Sequence, residues 1–122
     1  MTFRLLVCGA RRGSSLQLID RWLGDYWTRY GERLAIASGM APDPTGADRL
    51  AEAWAARHGA PFYGFPVDER IDGPWPGAGR RRNIRMFEGF RPDEVLALPG
   101  GPGTAHMKRY ARSRGCRVVE VG

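Results

Sequence analysis

The chain has 122 residues, of which 43% are hydrophobic and 26% are charged, and its formal net charge is +6. This length predicts a single domain over residues 1–122 that buries about 65–70% of its unfolded surface without a disulfide or a metal ion, and the composition excludes a disordered chain. No apolar run approaches the roughly 18 residues of a membrane span, and the first residues lack the layout of a signal peptide, so we expect a cytoplasmic protein with no membrane association.

Hydrophobic periodicity predicts five strands that alternate with four helices. In chain order we expect strand 3–8, a helix from the Ser14–Ser15 cap to Gly31, strand 34–37, a proline-containing loop 40–45, helix 46–58, strand 61–65, an irregular segment 67–76, helix 78–90, strand 94–98, helix 104–114 and strand 117–121. Strict alternation indicates parallel strands joined by right-handed crossovers. The predicted fold class is α/β: a single Rossmann-like three-layer domain, in which four helices flank a five-stranded parallel sheet of order 3-2-1-4-5.

The basic residues favour anionic partners such as nucleotides, nucleic acids or phosphates. Lysine and arginine together number 19 against 13 acidic residues, and Lys108 is the sole lysine. A GC-rich genome produces the same excess of arginine, so the charge alone does not decide the function. Cys8 and Cys116 lie on separate apolar segments without metal-ligand spacing, which predicts two buried thiols. We expect neither a metal site nor a cofactor.

Three predicted strands end in glycine-bearing turns, at residues 9–13, 38–40 and 99–104. The carboxyl ends of parallel strands share one edge of a sheet, and ligands bind where the strand order reverses, here between the first and fourth strands. This edge is the predicted binding site. The residues expected to contact a ligand there are Gly9, Arg11, Ser38, Gly39, Asp48, Arg82, Asn83, Pro99, Gly100, Gly101, Gly103 and Thr104.

The segment Pro99–Thr104, with sequence PGGPGT, is typical of a phosphate cradle. Its three glycines let an anion approach the backbone amides, and the helix that follows adds the positive end of its dipole. Thr104 offers a hydroxyl in the first turn. The alternative is a tight strand-to-helix turn that binds nothing.

The arginine-rich start of the third predicted helix carries two further candidates. Asn83 shares the otherwise apolar face of this helix, so its amide either points into the ligand edge or caps a neighbouring loop. Arg82 beside it is the expected clamp on a phosphate or carboxylate. Arg80, Arg81 and Arg85 are expected to form a solvated basic face.

Candidates in the other loops admit two interpretations each. Asp48 either stabilises the N-terminus of its own helix or accepts a hydrogen bond from a ribose hydroxyl. Arg11, in preference to Arg12, either contacts a phosphate or is solvated. Trp75 in the 67–76 segment either packs on the protein or stacks on a base, and His106 is a weaker candidate for the lining of the site.

Together these motifs resemble the SLOG superfamily of Rossmann-like proteins, which includes the DNA-processing protein DprA (Smf) and the LOG proteins, and most of all its small YspA/YpsA-related group. The motifs that carry the resemblance are GAR at 9–11, SGM at 38–40, GADRLA at 46–51, RNIRM at 82–86 and PGGPGT at 99–104. The resemblance extends over residues 3–121. It implies a protein of bacterial or phage origin that binds a nucleotide or a nucleotide-derived molecule at the carboxyl edge of the sheet. It also implies a homo-dimer or higher oligomer, for which Trp22, expected to be exposed on the first helix, would provide a contact.

The chain departs from the family pattern at two positions. Residues 42–45 extend the loop that normally leads directly into the GAD motif, and Met107 stands where LOG-type phosphoribohydrolases carry a glutamate. Without that carboxylate, N-glycosidic hydrolysis would need a substitute such as Asp48 or a residue of the Asp68–Glu69 loop. We therefore assign no catalytic residue and expect a sensor or sequestering module. LOG-like hydrolysis of nucleoside monophosphates is the first alternative and nucleic-acid binding the second, because the arginine cluster is short and lacks interleaved aromatic residues.

Overall fold

The computed structural model describes residues 1–122. Its strands are β1 (Phe3–Cys8), β2 (Leu34–Ser38), β3 (Phe62–Gly64), β4 (Glu94–Ala97) and β5 (Arg117–Glu120). Its helices are α1 (Leu16–Tyr30), α2 (Ala47–His58), α3 (Glu69–Asp72), α4 (Ala78–Phe90) and α5 (Pro102–Ser113), and a short 3₁₀ turn (Gly31–Arg33) follows α1.

The five strands form one parallel sheet in the order β3-β2-β1-β4-β5, which confirms the predicted fold and strand order. β1 lies at the centre, where Leu5 pairs with Ile36 of β2 and with Glu94 of β4. Helices cover both faces of the sheet, so β2 and β4 are buried along their whole length, and apart from Ser38 and Glu94 they consist of apolar residues without alternation. All strand carboxyl ends therefore point to one edge.

Alternate side chains of the strands divide the core into two layers. One layer packs against α1 and α2 and includes Leu5, Val7, Ile36 and Trp54. The other packs against α4 and α5 and includes Leu6, Cys8, Ala37, Met86 and Met107. Because β1 leads into α1 on one face and β4 leads into α5 on the other, the strand order reverses between these two strands, as the sequence predicts.

All four predicted helices are present, but the structure contains a fifth helix that the sequence did not predict. The fifth, α3, lies inside the segment 67–76 that was expected to be irregular. It consists of four residues, and Asp68 caps it by accepting a hydrogen bond from the backbone N–H of Arg70. Its last residue, Asp72, forms a buried ion pair with Arg85 of α4. A helix this short has no periodicity to detect, and a distant contact stabilises it.

Two expectations about single side chains are also corrected. Cys8 is buried as predicted, whereas Cys116 is half-buried, with its Sγ 3.6 Å from the carbonyl oxygen of Pro92. Trp22 is partly buried and not fully exposed, because it packs against the core layer beneath α1 and α2. None of the helices combines the length and the apolar character needed to cross a bilayer, and no cluster of three metal-ligating side chains is present.

Candidate functional site

A cleft of about 620 Å³ lies at the carboxyl edge of the sheet, where β1 and β4 diverge into helices on opposite faces. This volume is within the range of small-molecule sites, about 300–1,000 Å³. Nine of the twelve predicted site residues line the cleft: Gly9, Arg11, Gly39, Asp48, Arg82, Asn83, Gly101, Gly103 and Thr104. The other three lie elsewhere.

The glycine-rich loop forms one wall of the cleft at the N-terminus of α5. A Cβ atom on Gly101 or on Gly103 would meet nothing within 4 Å, so both backbones face open space. No side chain caps α5, and Pro102 occupies the start of its first turn. The amides of Gly103 and Thr104 have no intrahelical acceptor because they lie in that turn, and the helix dipole adds positive potential beside them. This wall has the chemistry of an anion site.

The first part of the same loop has a structural role instead. Thr104 Oγ1 donates to the carbonyl of Gly9 at 2.9 Å, and the N–H of Ala10 donates to the carbonyl of Pro99 at 3.0 Å. A Cβ on Gly100 would lie 2.2 Å from Thr104 Oγ1, so this position requires glycine. Pro99 and Gly100 therefore face a second cavity of about 400 Å³ beside α1 and not the cleft.

Ser38 is the third predicted residue that the structure places away from the cleft. It is fully buried, and its hydroxyl donates to the backbone carbonyl of Asp48 at 3.0 Å. The bond ties the end of β2 to the first turn of α2. The hydroxyl is thereby satisfied inside the protein, and Gly39, the next residue, lines the cleft in its place.

Arg82 lines the wall of the cleft and holds two loops together. Its Nη1 donates to the carbonyl of Gly39 and, at 2.9 Å, to that of Phe65, while its Nε lies 3.3 Å from Oδ1 of Asn83. Burial lowers the pKa of the guanidinium, and the nearby Asp48 carboxylate opposes that effect. Arg82 is thus a fixed, partly buried cation on the wall of the cleft.

Asn83 caps the glycine loop from the side of α4. Its Nδ2 donates to the carbonyl of Gly103 at 3.1 Å and lies 3.2 Å from Nδ1 of His106. Of the two interpretations, the structure shows the loop cap, although Asn83 also lines the cleft. His106 does not line it, and burial together with Arg80 and Arg109 lowers its pKa.

Asp48 is the one carboxylate that lines the cleft. Its Oδ2 accepts from the backbone N–H of Ala41 at 3.0 Å, which fixes the loop after β2. Burial raises the pKa of this carboxyl, while the Ala41 N–H and the Arg82 guanidinium act in the opposite direction. Four arginines, Arg11, Arg12, Arg49 and Arg82, line the same cleft, so its charge favours an anionic ligand.

The extended loop 42–45 fastens the loop that follows β1. Thr45 donates through both its N–H and its hydroxyl to Oδ1 of Asp43, at 2.8 and 2.7 Å. The Thr45 hydroxyl oxygen accepts from the N–H of Gly13 at 2.9 Å, and the Thr45 carbonyl accepts from the N–H of Ser14 at 2.8 Å. Asp43 and Thr45 therefore hold the loop that carries Arg11, while Pro42 of the same extension lines the cleft.

Residues 66–77, called here the rim segment, contribute Pro66, Val67 and Trp75 to the lining of the cleft. Arg85 donates to both carboxylate oxygens of Asp72 at 2.8 Å and to the carbonyl of Pro66 at 3.0 Å. Arg81 donates to the carbonyls of Asp72 and Pro74. Both arginines thus anchor the rim segment: Arg85 is partly buried, against the prediction of a solvated basic face, whereas Arg81 is exposed as predicted. Trp75 projects from it, half exposed, onto the cleft.

Several lining residues were absent from the sequence prediction, and most are apolar: Cys8, Met40, Ala41, Pro42, Pro66, Val67, Gly79, Met86 and Pro102. Burial raises the pKa of the Cys8 thiol to about 12, so it is an unreactive part of the floor. Met40 has a left-handed backbone, with φ of 59°, and its side chain packs where Gly64 leaves room. The SGM motif marked Met40 in sequence, but no local signal shows which way its side chain turns.

The family described as "YspA, cpYpsA-related SLOG family" matches residues 3–70, which is more than half of the chain. The match extends from β1 into α3 and includes three motifs that contribute to the cleft, at residues 9–11, 38–40 and 46–51. No curated protein matches the chain.

Proposed function

For a chain that belongs to the YspA, cpYpsA-related SLOG family, we propose that the cleft binds a nucleotide or a nucleotide-derived small molecule and that the protein acts as a sensor or sequestering module. The observation that carries this proposal is the uncapped N-terminus of α5 opening into a cleft lined by four arginines and one carboxylate. Backbone amides, a helix dipole and guanidinium groups are the donors that recognise phosphate. The apolar remainder of the cleft suits a nucleoside.

Hydrolysis of an N-glycosidic bond is the second candidate, because one carboxylate with a raised pKa faces the cleft. Asp48 is that group, and a carboxyl with a raised pKa suits proton donation to a leaving base. Met107, at the position of the LOG glutamate, is buried in the core layer beneath α4 and α5 and does not line the cleft. Neither Asp68 nor Glu69 lines it. The candidate therefore rests on Asp48 alone.

Thermal unfolding in the presence of nucleoside mono-, di- and triphosphates, cyclic nucleotides, NAD and ADP-ribose tests the proposal. A ligand at about 100 times its dissociation constant stabilises the folded state by about 2.7 kcal/mol, a shift of several degrees for a chain of this size. Chromatography of each stabilising mixture separates the candidates: an unchanged ligand supports binding, and released base supports hydrolysis. If no compound shifts the transition, both candidates are wrong.

A graded pair of variants places the binding in the cleft. Gly101 precedes α5 with φ of −100° and ψ of −150°, and a Cβ there would meet no atom within 4 Å. Both Gly101→Ala and Gly101→Val therefore add side-chain atoms without a clash, at a residue that lines the cleft. We expect the valine variant to lose more affinity than the alanine variant, while both unfold near the wild-type temperature. Equal wild-type affinity in both would place the ligand elsewhere.

A further inference from the structure

Trp75 is a large aromatic side chain that stands half exposed at the mouth of the cleft. Its exposed fraction is 49%, the highest among the four tryptophans, and Trp54 by contrast is 2% exposed. Aromatic side chains that line a concave site are common contacts of small-molecule ligands. Pro66 and Val67 line the cleft with it, so this end of the cleft is apolar.

The rim segment holds Trp75 firmly from both sides. Arg81 binds the carbonyl of Pro74, at 2.5 Å, and that of Asp72. The Asp72 side chain is almost fully buried in its ion pair with Arg85. On α4, a Cβ added to Gly79 would lie 3.4 Å from the indole, so the helix passes close under the ring. The hydrogen bonds of Arg81 and the ion pair of Asp72 with Arg85 thus fix the backbone on which the half-exposed Trp75 ring is carried.

The guanidinium of Arg11 lies over the Trp75 ring, with Cζ 5.7 Å from the ring centroid. Arg11 is itself exposed and comes from the loop after β1, so the two side chains approach each other from opposite sides of the cleft mouth. A planar group held between two flat side chains needs about 7 Å, which is two van der Waals contacts of about 3.5 Å. An outward shift of Arg11 by about 1–2 Å creates that space.

We propose that Trp75 and Arg11 form a stacking subsite for the base of the bound nucleotide. This inference rests on the proposed function, which puts the phosphate at the N-terminus of α5. Both ends line one continuous cleft, and a nucleotide that spans this cleft would place its sugar between them. Indole and guanidinium faces are the surfaces on which bases stack, and stacking tolerates any base because every base has a π-face. The subsite therefore selects for a planar heteroaromatic ring.

The experiment compares a probe with a base and one without. Affinities for AMP and for ribose 5-phosphate are measured by calorimetry on wild type, Trp75→Leu, Trp75→Phe and the control Tyr63→Ala. Tyr63 is an aromatic residue of similar exposure, 52%, that does not line the cleft. Leucine at position 75 is apolar but has no π-face, and phenylalanine has a smaller π-face than tryptophan.

We expect Trp75→Leu to weaken AMP binding by about 5- to 150-fold, the range for loss of one base–aromatic stack, and to leave the affinity for ribose 5-phosphate unchanged. Trp75→Phe should lose less, and Tyr63→Ala should bind both probes as wild type does. Wild-type affinity of folded Trp75→Leu for AMP would overturn the subsite, as would an equal loss for both probes, which would show a structural role of the rim segment. If wild type binds neither probe nor any other nucleotide of the thermal-unfolding panel, the proposed function itself fails.

Discussion

Replacing Gly103 by alanine should separate the stability of the fold from the function of the cleft. Gly103 lies in the first turn of α5, and a Cβ there meets no atom within 4 Å. Its carbonyl accepts from Asn83, a bond that a Cβ does not disturb. The new methyl group instead occupies the space beside the free amides of Gly103 and Thr104, where the proposed phosphate lies.

The expected effects have opposite signs. A Gly→Ala change at a compatible helical position stabilises a protein by about 0.4–1 kcal/mol, chiefly because it restricts the unfolded chain, and this amounts to a rise of about 2–4 °C in Tm. Binding should weaken at least tenfold, about 1.4 kcal/mol, because the methyl group keeps phosphate from hydrogen-bond distance of the amides. Gly24→Ala is the matched control, since Gly24 lies in the middle of α1, is free of contacts within 4 Å and does not line the cleft.

Chemical denaturation and calorimetric titration with AMP measure the two effects on the same samples. Both variants should gain stability, and Gly103→Ala alone should lose affinity. If Gly103→Ala binds AMP as tightly as Gly24→Ala does, the phosphate does not approach the N-terminus of α5. If Gly103→Ala loses stability as well as affinity, the position of its Cβ is not free of neighbouring atoms.

Three further results are expected. The Arg85 guanidinium lowers the pKa of Asp72 to about 2 from its ordinary 3.8, so the pair stabilises the fold above pH 3.8, and about 2 kcal/mol of this stability is lost as the pH falls toward 2. Urea denaturation of Asp72→Asn should therefore show a smaller loss of stability than wild type over that pH range. An equal loss in the two proteins would refute the assignment. Arg82→Ala removes charged hydrogen bonds to Gly39 and Phe65 and should lower the free energy of unfolding by about 1.5–3 kcal/mol as well as affinity, whereas an unchanged denaturation midpoint would deny the bracing role. Cys8, with its pKa raised to about 12 by burial, should react with a thiol reagent at pH 8 much more slowly than half-buried Cys116; mass spectrometry of each labelled cysteine checks this, and faster labelling of Cys8 would contradict it.

The fold was predictable because the signals that begin and end its helices and strands lie in the local sequence. Gly59 ends α2 in the left-handed conformation that suits glycine, and Ser15 caps α1 by accepting from the N–H of Leu18. Continuous apolar runs mark β1 and β2 as buried strands. These signals fix the alternation of strands and helices, and the rules for parallel crossovers then leave few strand orders.

The candidate site was predictable at the level of loops but not of every side chain. The sequence locates PGGPGT at the strand edge, yet only the structure shows that Gly100 is needed to pack against Thr104 while Gly101 and Gly103 face the cleft. Arg81 and Arg85 read as solvated because their partners, such as Asp72, lie in a segment without regular periodicity. Such contacts depend on tertiary placement, which local patterns do not encode.

The most direct test of the central claim is a titration of the isotope-labelled protein with AMP, followed by amide NMR. A nucleotide bound in the cleft should produce saturable shifts of the Gly101, Gly103 and Thr104 amides and of the Trp75 indole N–H, all with one dissociation constant. The Gly24 amide, which lies in α1 and away from the cleft, should not move. Shifts confined to other surfaces, or none with AMP and with every other nucleotide of the thermal-unfolding panel at millimolar concentration, would contradict a nucleotide site in this cleft.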